Sequence, residues 1–258
     1  MKKFLLDLTV TENIRLNASY VLLKLTSQSV LPEMLPGQFA ELRVDGSSTT
    51  FLRRPISINY VDKLRNEVWF LIQIVGDGTR RLAEAIQGEI INVIMPLGNS
   101  FTIPSNPSDK LLLVGGGVGT APMLYLGEQL VKNGSKPTFL LGARSDKDLL
   151  QLAEFRKYGD VYTTTEDGSH GEKGYVTQHS ILNSMEFEQI YTCGPKPMMV
   201  AVAKYAKTNQ IKCEVSLENM MACGVGACLC CVENTTEGHL CVCTEGPIFD
   251  INKLLWQI

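Results

Sequence analysis

The hydrophobic positions of this chain change rhythm twice. From residue 4 to about residue 103 they come in short runs, SYVLLKLT, QFAELRV, ISINYV and EVWFLIQIV, rich in Val, Ile, Tyr and Phe and bounded by Pro, Gly and Asp. Runs of that length and punctuation predict strands, and several at this spacing predict a small antiparallel barrel. Helical spacing appears in this block only around TRRLAEAIQ, and FTIPSNPSDK, with its two prolines, reads as a linker. From about Lys110 the pattern alternates. LLLVGG, PTFLLGA, DVYTTTE and QIYTCGP read as buried strands, with APMLYLGEQLVKNG, DKDLLQLAEFRKYG and KPMMVAVAKYAKTNQ as helices between them and Gly134 and Gly159 at expected C-caps. Such alternation predicts a doubly wound parallel sheet. From about Ser216 a Cys-rich tail takes over. The expected class is β plus α/β, with a barrel domain over 1–104, a nucleotide-binding α/β domain over 105–215 and a small module over 216–258.

Composition narrows the picture. With 258 residues, 45% hydrophobic and 20% charged, the chain has the make-up of a globular protein and no need of disulfide staples. A net charge of -3 leaves no electrostatic footprint for nucleic acid. The start, MKKFLLDLTV, imitates a signal peptide, but Asp7, Glu12 and Asn13 break it before an apolar core of about 7–15 residues can form. No other segment approaches the ~18 apolar residues of a spanning helix. A cytoplasmic protein is expected, so its eight cysteines read as thiols rather than disulfides. Cys193 and Cys213 stand apart, whereas Cys223, Cys228, Cys230, Cys231, Cys241 and Cys243 crowd the tail. That crowding points to a metal site.

Cys223, Cys228 and Cys231 form C-x4-C-x2-C, and a distant fourth cysteine, Cys243 or Cys241, completes the plant-type spacing for a [2Fe–2S] cluster. Gly224, Gly226 and Ala227 let the loop backbone come close to the sulfurs. Structural zinc is the alternative, although it usually takes two short C-x2-4-C pairs, and C-x-C at Cys241 and Cys243 is a poor one. The run LLLVGGGVGTAPM places Gly115, Gly116, Gly117 and Gly119 between an apolar strand and a helix, with Thr120 as an expected N-cap and Pro122 in the first turn. Glycines there admit a pyrophosphate to the backbone and to the helix N-terminus, so a nicotinamide dinucleotide is expected. No acidic residue ends the second strand, where Arg144 stands instead, so NADH and NADPH both remain open. In the first block, Arg53, Arg54 and Ser57 on one strand and Gly76, Gly78 and Thr79 before a helix form either a diphosphate clamp or a solvated edge and a turn.

Taken together, Arg54-Pro55-Ile56-Ser57, Gly76-Asp77-Gly78-Thr79, the turn 115–120 and Cys193-Gly194-Pro195 resemble the ferredoxin–NADP reductase superfamily across essentially the whole chain. Two departures are visible. Ile56 stands where those reductases commonly carry Tyr, and the Cys-rich tail replaces their aromatic ending. The stretch SLENMMACGVGACLCC and the ending Cys243-Thr244-Glu245-Gly246-Pro247-Ile248-Phe249 resemble, more narrowly, the electron-transfer subunits of B-type dihydroorotate dehydrogenases.

That resemblance implies FAD held by Arg54, Pro55, Ile56, Ser57, Leu71, Ile72, Gln73, Gly78 and Thr79. It implies NAD at Gly115, Gly117, Gly119 and Thr120, with Cys193 and Gly194 on a loop near the nicotinamide, and a [2Fe–2S] cluster on Cys223, Cys228, Cys231 and Cys243. It further implies an FMN-containing catalytic partner that oxidises dihydroorotate, assembled as two of each subunit, with electrons crossing cluster and FAD to NAD+ in pyrimidine biosynthesis. Met220, Met221, Val225 and Leu229 flank the cluster loop as a docking face or as cover for the cluster. A reductase subunit of ferredoxin:NADP oxidoreductase or sulfhydrogenase type shares the same three blocks. A zinc-stabilised nucleotide-binding sensor is the reading from another class.

Overall fold

The computed structural model describes residues 2–258. Its first sheet holds seven strands, β1 (Phe4–Arg15), β2 (Tyr20–Thr26), β3 (Phe39–Leu42), β4 (Arg54–Ser57), β5 (Tyr60–Asp62), β6 (Glu67–Gln73) and β7 (Ile90–Leu97), in the order β4-β3-β7-β1-β2-β6-β5. All of its pairings are antiparallel. The sheet curls around Leu8, Val10, Leu23, Leu25, Leu42, Phe70 and Val93, a core that the one short helix of this block, α1 (Asp77–Ala83), joins through Leu82.

Two of these strands were not among the runs singled out in the sequence. In β1 a bulge between Val10 and Glu12 shifts the register, so a strict alternation of period two never builds up over its length. In β7 the polar Asn92 is buried, its side-chain oxygen accepting from Arg53 and its amide donating to Asp7.

The second sheet is doubly wound. Strands β8 (Leu111–Gly116), β9 (Thr138–Ala143), β10 (Asp160–Thr165), β11 (Glu172–Lys173), β12 (Gln189–Cys193) and β13 (Lys212–Ser216) lie parallel in the order β11-β10-β9-β8-β12-β13. The chain reverses direction across the sheet between β8 and β12. Open α/β sheets bind their ligands outside the carboxyl ends of the strands at such a switch point. Helices α2 (Ala121–Lys132), α3 (Leu152–Phe155), α4 (Ile181–Ser184) and α5 (Lys196–Thr208) connect the strands.

The expected helix over 146–159 is reduced to a 3-10 turn at Asp146–Asp148 and the four residues of α3. Leu149 is extended and Gln151 is left-handed, with φ 54°. Gln151 exchanges two amide hydrogen bonds, at 3.0 and 3.1 Å, with Asn59 of the barrel, and this tertiary pairing overrides the helical spacing. Gly134 takes φ +90° just beyond α2, as a C-cap glycine should, but Gly159 caps nothing. A Cβ at Gly159 would lie 2.0 Å from the Pro137 carbonyl oxygen, so close chain approach is what requires glycine there. Thr120 is helical and does not cap α2; its hydroxyl donates back to the Gly117 carbonyl at 3.0 Å.

The tail forms a hairpin, β14 (Val232–Thr235) with β15 (Gly238–Cys241), then the short α6 (Val242–Glu245) and β16 (Ile248–Asp250), which adds antiparallel to β13. Cys231, Val242, Cys243 and Phe249 share one core with Phe39 and Leu97 of the barrel and Val215 of the second sheet. The tail is thereby wedged against both sheets. Barrel and α/β sheet also meet directly, through Tyr125 donating to the Met34 carbonyl at 3.0 Å and Tyr60 donating to Glu128 at 2.8 Å. Among the described residues, no helix is long and apolar enough to cross a membrane.

Candidate functional site

A cleft of about 870 Å³ opens at the β8/β12 switch point, lined among others by Gly116, Gly117, Gly142, Arg144, Glu166, Gly194, Lys196 and Glu218. The glycine turn that leads into α2 has separable roles. Gly117, at φ +56°, lines the cleft and presents backbone to it. Gly115 and Gly119 are packing positions. A Cβ on Gly115 would meet Thr120 at 2.9 Å, and one on Gly119 would fall 2.4 Å from the Cα of Gly194 and 2.5 Å from the Cys193 carbonyl oxygen. The two turns at the ends of β8 and β12 therefore interlock, and Thr120 ties the first of them down. Gly194 lines the cleft directly.

Glu166 was missed in the sequence. It follows β10, and its N–H donates to the Ala143 carbonyl at 3.1 Å, which sets it beside the end of β9 and next to Arg144. An acid that the second strand itself lacks is thus supplied beside its end by the neighbouring strand. The run DVYTTTE already ended on it.

A smaller pocket of about 240 Å³ lies between the barrel and the α/β sheet. Pro55, Ile56 and Ser57 of β4, Leu71 and Gln73 of β6, and Thr79 line it, together with Phe39, Val118 and Met221. Of the other expected residues, Arg54 and Gly78 lie outside this lining, and so does Ile72, which is fully buried in the barrel core and has no surface open to a ligand. Thr79 builds the turn before α1, its hydroxyl accepting from Val75 and Gly76 at 2.9 and 3.1 Å. Beside it, Arg54 keeps a buried Nε without a partner, and a Cβ on Gly78 would lie 3.2 Å from that atom. An unpartnered guanidinium N–H and a glycine that leaves room beside it fit a flavin nucleotide with its diphosphate at Arg54.

Glu218 stands where cleft and pocket meet, with Cys193 buried behind it and lining neither. The thiol is fully buried and donates to Glu218 Oε1 at 3.3 Å. Burial first, and then the Glu218 charge, push its pKa well above the ordinary thiol range, so the sulfur stays protonated. Glu218 lines both cavities, and desolvation by the surrounding protein raises its carboxyl pKa. Leu217 and Asn219 likewise line both. The segment connecting β13 to the cysteine loop is therefore the shared wall of the two sites; the sequence marked this stretch only as part of SLENMMACGVGACLCC, not for this role.

The cysteine loop follows at once. Its thiols come in two contacting pairs, Cys223 with Cys228 and Cys231 with Cys243. Backbone N–H groups point at the sulfurs: Val225 and Ala227 donate to Cys223 Sγ at 3.5 and 3.3 Å, Gly226 to Cys243 Sγ at 3.2 Å, and Cys243 to Cys231 Sγ at 3.4 Å. Gly224 and Gly226, at φ +65° and +83°, supply the left-handed turns this wrapping needs. Burial opposes ionisation of Cys223, but the N–H groups of Val225, Cys228 and Ala227 outweigh it and bring the thiol down to about 6. Burial and the neighbouring Cys231 push Cys243 up to about 12. Two sulfur pairs wrapped by N–H donors suit a binuclear iron–sulfur centre, two thiolates to each metal. Cys230 is exposed, and Cys241 lies on β15. Glu41 of β3 also faces this loop; burial first, against Arg53 and Arg54, lifts its pKa to about 7.

Comparison with known proteins agrees with this geometry. Residues 218–255 match the iron–sulfur cluster binding domain of dihydroorotate dehydrogenase B, and residues 113–204 match the oxidoreductase NAD-binding domain. The dihydroorotate dehydrogenase B (NAD(+)) electron transfer subunit of Fusobacterium nucleatum is 36% identical over 250 residues, 94% of this chain and 95% of that one. The subunit of the same description from Shouchella clausii is 39% identical over 225 residues, covering 85% and 86% of the two chains. Among solved structures, the NADH-dependent reduced ferredoxin-NADP oxidoreductase studied for flavin-based electron bifurcation superposes with a TM-score of 0.86 at 27% identity, covering 96% of this chain and 90% of that one. With iron–sulfur and NAD-binding regions in register and relatives this similar over nearly their full length, the chain belongs to the family of dihydroorotate dehydrogenase B electron transfer subunits.

Proposed function

We propose that this chain carries electrons between a dihydroorotate-oxidising partner subunit and NAD+, with the cysteine loop facing the partner and the 870 Å³ cleft receiving the nicotinamide nucleotide. The observation that carries the reading is the shared wall. Leu217, Glu218 and Asn219 border the flavin pocket and the nucleotide cleft and run within a few residues into Cys223, so one short segment touches all three sites.

FAD, when bound, exchanges an electron pair with the nicotinamide and single electrons with a one-electron iron–sulfur centre. The chain's own residues divide the remaining work. Arg54 and Gly78 receive the flavin nucleotide's diphosphate, while Pro55, Ile56, Ser57, Leu71, Gln73 and Thr79 border its pocket and Ile72 packs in the barrel core behind Leu71 and Gln73. Gly117 and Gly194 bring backbone against the dinucleotide, and Gly115, Gly119 and Thr120 hold the two turns at the right spacing. Cys193 keeps its proton beside Glu218, so the sulfur adds no charge to the junction. Cys223 and Cys228 would hold one iron of the cluster and Cys231 and Cys243 the other, with the loop N–H groups placed to offset the thiolate charge. Glu166 accepts from the ribose 2′-hydroxyl and so favours NADH over NADPH, against the pull of Arg144.

We further infer three units, 1–104, 105–215 and 216–258, the last returning β16 to the second sheet. The partner is an FMN-containing catalytic subunit, the assembly contains two of each chain, and the complex works in the cytoplasm. The direct assay is a pull-down from a host expressing both subunits, tested for dihydroorotate-dependent NAD+ reduction; a co-purified complex without that activity would count against the reading. The solved oxidoreductase at 27% identity favours a second reading, a reductase subunit acting on ferredoxin. Ferredoxin-dependent turnover in the same preparation, with none from dihydroorotate, would select it.

A further inference from the structure

Glu41 has a place in the fold but no role so far. It sits on β3 at 0% exposure, and neither carboxyl oxygen has a hydrogen-bond partner. A buried carboxyl left without partners is costly to a fold whichever protonation state it takes. Its backbone is pinned: it pairs with Pro55 on one side and Ile94 on the other, and its carbonyl accepts from Arg53 at 3.2 Å. The side chain faces the cysteine loop. A Cβ placed on Gly224 would lie 2.6 Å from Glu41 Cγ and 2.8 Å from Oε1. The N–H groups of Val225, Gly226 and Ala227 are turned toward sulfur, so the carboxyl lies against the part of the loop that is not.

We propose that Glu41 is the positioning residue of the iron–sulfur loop, its carboxyl accepting the main-chain N–H donors of the turn at residues 223–224 in the cluster-loaded protein and so anchoring the loop to the flavin barrel. The proposal rests on the assignment of Cys223 as an iron ligand. It gives the pairing of β3 with β4 a functional meaning. One two-strand ribbon carries the flavin-side residues 54–57 and the anchor of the loop, so the ribbon, rather than a glycine-rich turn, sets the spacing between the two redox sites.

The test compares anaerobically purified wild type, Glu41→Leu, Glu41→Gln and Gly224→Ala. It measures iron and FAD per chain, the rate of iron loss to excess chelator, and the EPR line shape of the dithionite-reduced protein. Losing a charge-assisted acceptor predicts about tenfold faster iron loss and altered g-values in Glu41→Leu, with FAD retained. Glu41→Gln keeps an acceptor oxygen and stays within about threefold of wild type. Gly224→Ala, which strains the left-handed turn as well as crowding the carboxyl, should lose iron faster still with FAD in place, and the comparison of Glu41→Gln with wild type, by iron-loss rate and g-values, serves if the leucine variant does not fold. Iron loss at the wild-type rate with an unchanged spectrum in Glu41→Leu overturns the anchor, as does a glutamine variant no better than leucine. Wild-type protein without iron would instead sink the cluster assignment beneath it.

Discussion

Replacing Gly119 with Ala tests the interlocked turns more sharply than any change to a side chain in the cleft. Its φ is not left-handed, so the added methyl brings no backbone penalty and its effect is steric alone. The new Cβ would lie 2.4 Å from the Gly194 Cα and 2.5 Å from the Cys193 carbonyl carbon and oxygen, all backbone atoms, where ordinary contact begins near 3.4 Å. The turns must part by about 1 Å. Overpacking of this kind costs about 1–3 kcal/mol, or ~2–4 °C in Tm for each kcal/mol in a chain of this size. A misplacement of ~1 Å at reacting groups costs on the order of 10²-fold in rate. The expected outcome is kcat/KM for NADH-dependent ferricyanide reduction lowered by about 10- to 100-fold, with FAD and iron contents unchanged. Gly88→Ala is the control: Gly88 is left-handed, at φ +87°, with nothing within 4 Å of its Cβ position, so stability falls while NADH kinetics hold. Wild-type NADH kinetics in Gly119→Ala would refute the reasoning, and parallel loss of flavin and iron would show a general collapse instead.

Three further outcomes follow from the same geometry. Cys228→Ala should abolish bound iron while leaving about one FAD per chain, read by iron analysis and the visible spectrum; equal loss of both cofactors would contradict separate sites. Glu166→Ala should lower kcat/KM for NADH by about 10- to 100-fold, the worth of a hydrogen bond to a charged group, and raise that for NADPH; an unchanged coenzyme ratio would remove Glu166 from the ribose site. His179 is buried, its Nδ1 accepting the Ile181 N–H at 3.0 Å, and burial lowers its pKa against the raising influence of Glu172. The unfolded chain therefore takes up this proton first as pH falls below about 6.5, so the folded state loses stability from there down to the depressed native value and not beyond it. Thermal melts of wild type against His179→Gln across that window should converge as pH falls; parallel curves would mean the imidazole titrates alike in both states.

The strand-and-helix alternation from Leu111 onward was readable because each buried parallel strand is a short apolar run between glycines and polar turns. The C-x4-C-x2-C loop was readable because a binuclear iron centre dictates ligand spacing locally. What escaped the sequence depends on partners distant along the chain. The helix expected over 146–159 fails because Gln151 pairs with Asn59, 92 residues away. Gly119 is written as part of a nucleotide turn but is required by Gly194. Glu166 reaches the end of β9 only once β10 lies beside it. Glu41 reads as one polar residue in the strand FAEL and acquires meaning only when the tail folds over it.

An anaerobic titration of the isolated protein with NADH, followed by visible absorbance and EPR together, tests the central claim most directly. The account predicts bleaching of a bound flavin and the appearance of a reduced [2Fe–2S] signal, with about three electron equivalents taken up per chain. Flavin bleaching with no EPR signal at any NADH concentration, in protein shown to carry iron, would contradict it.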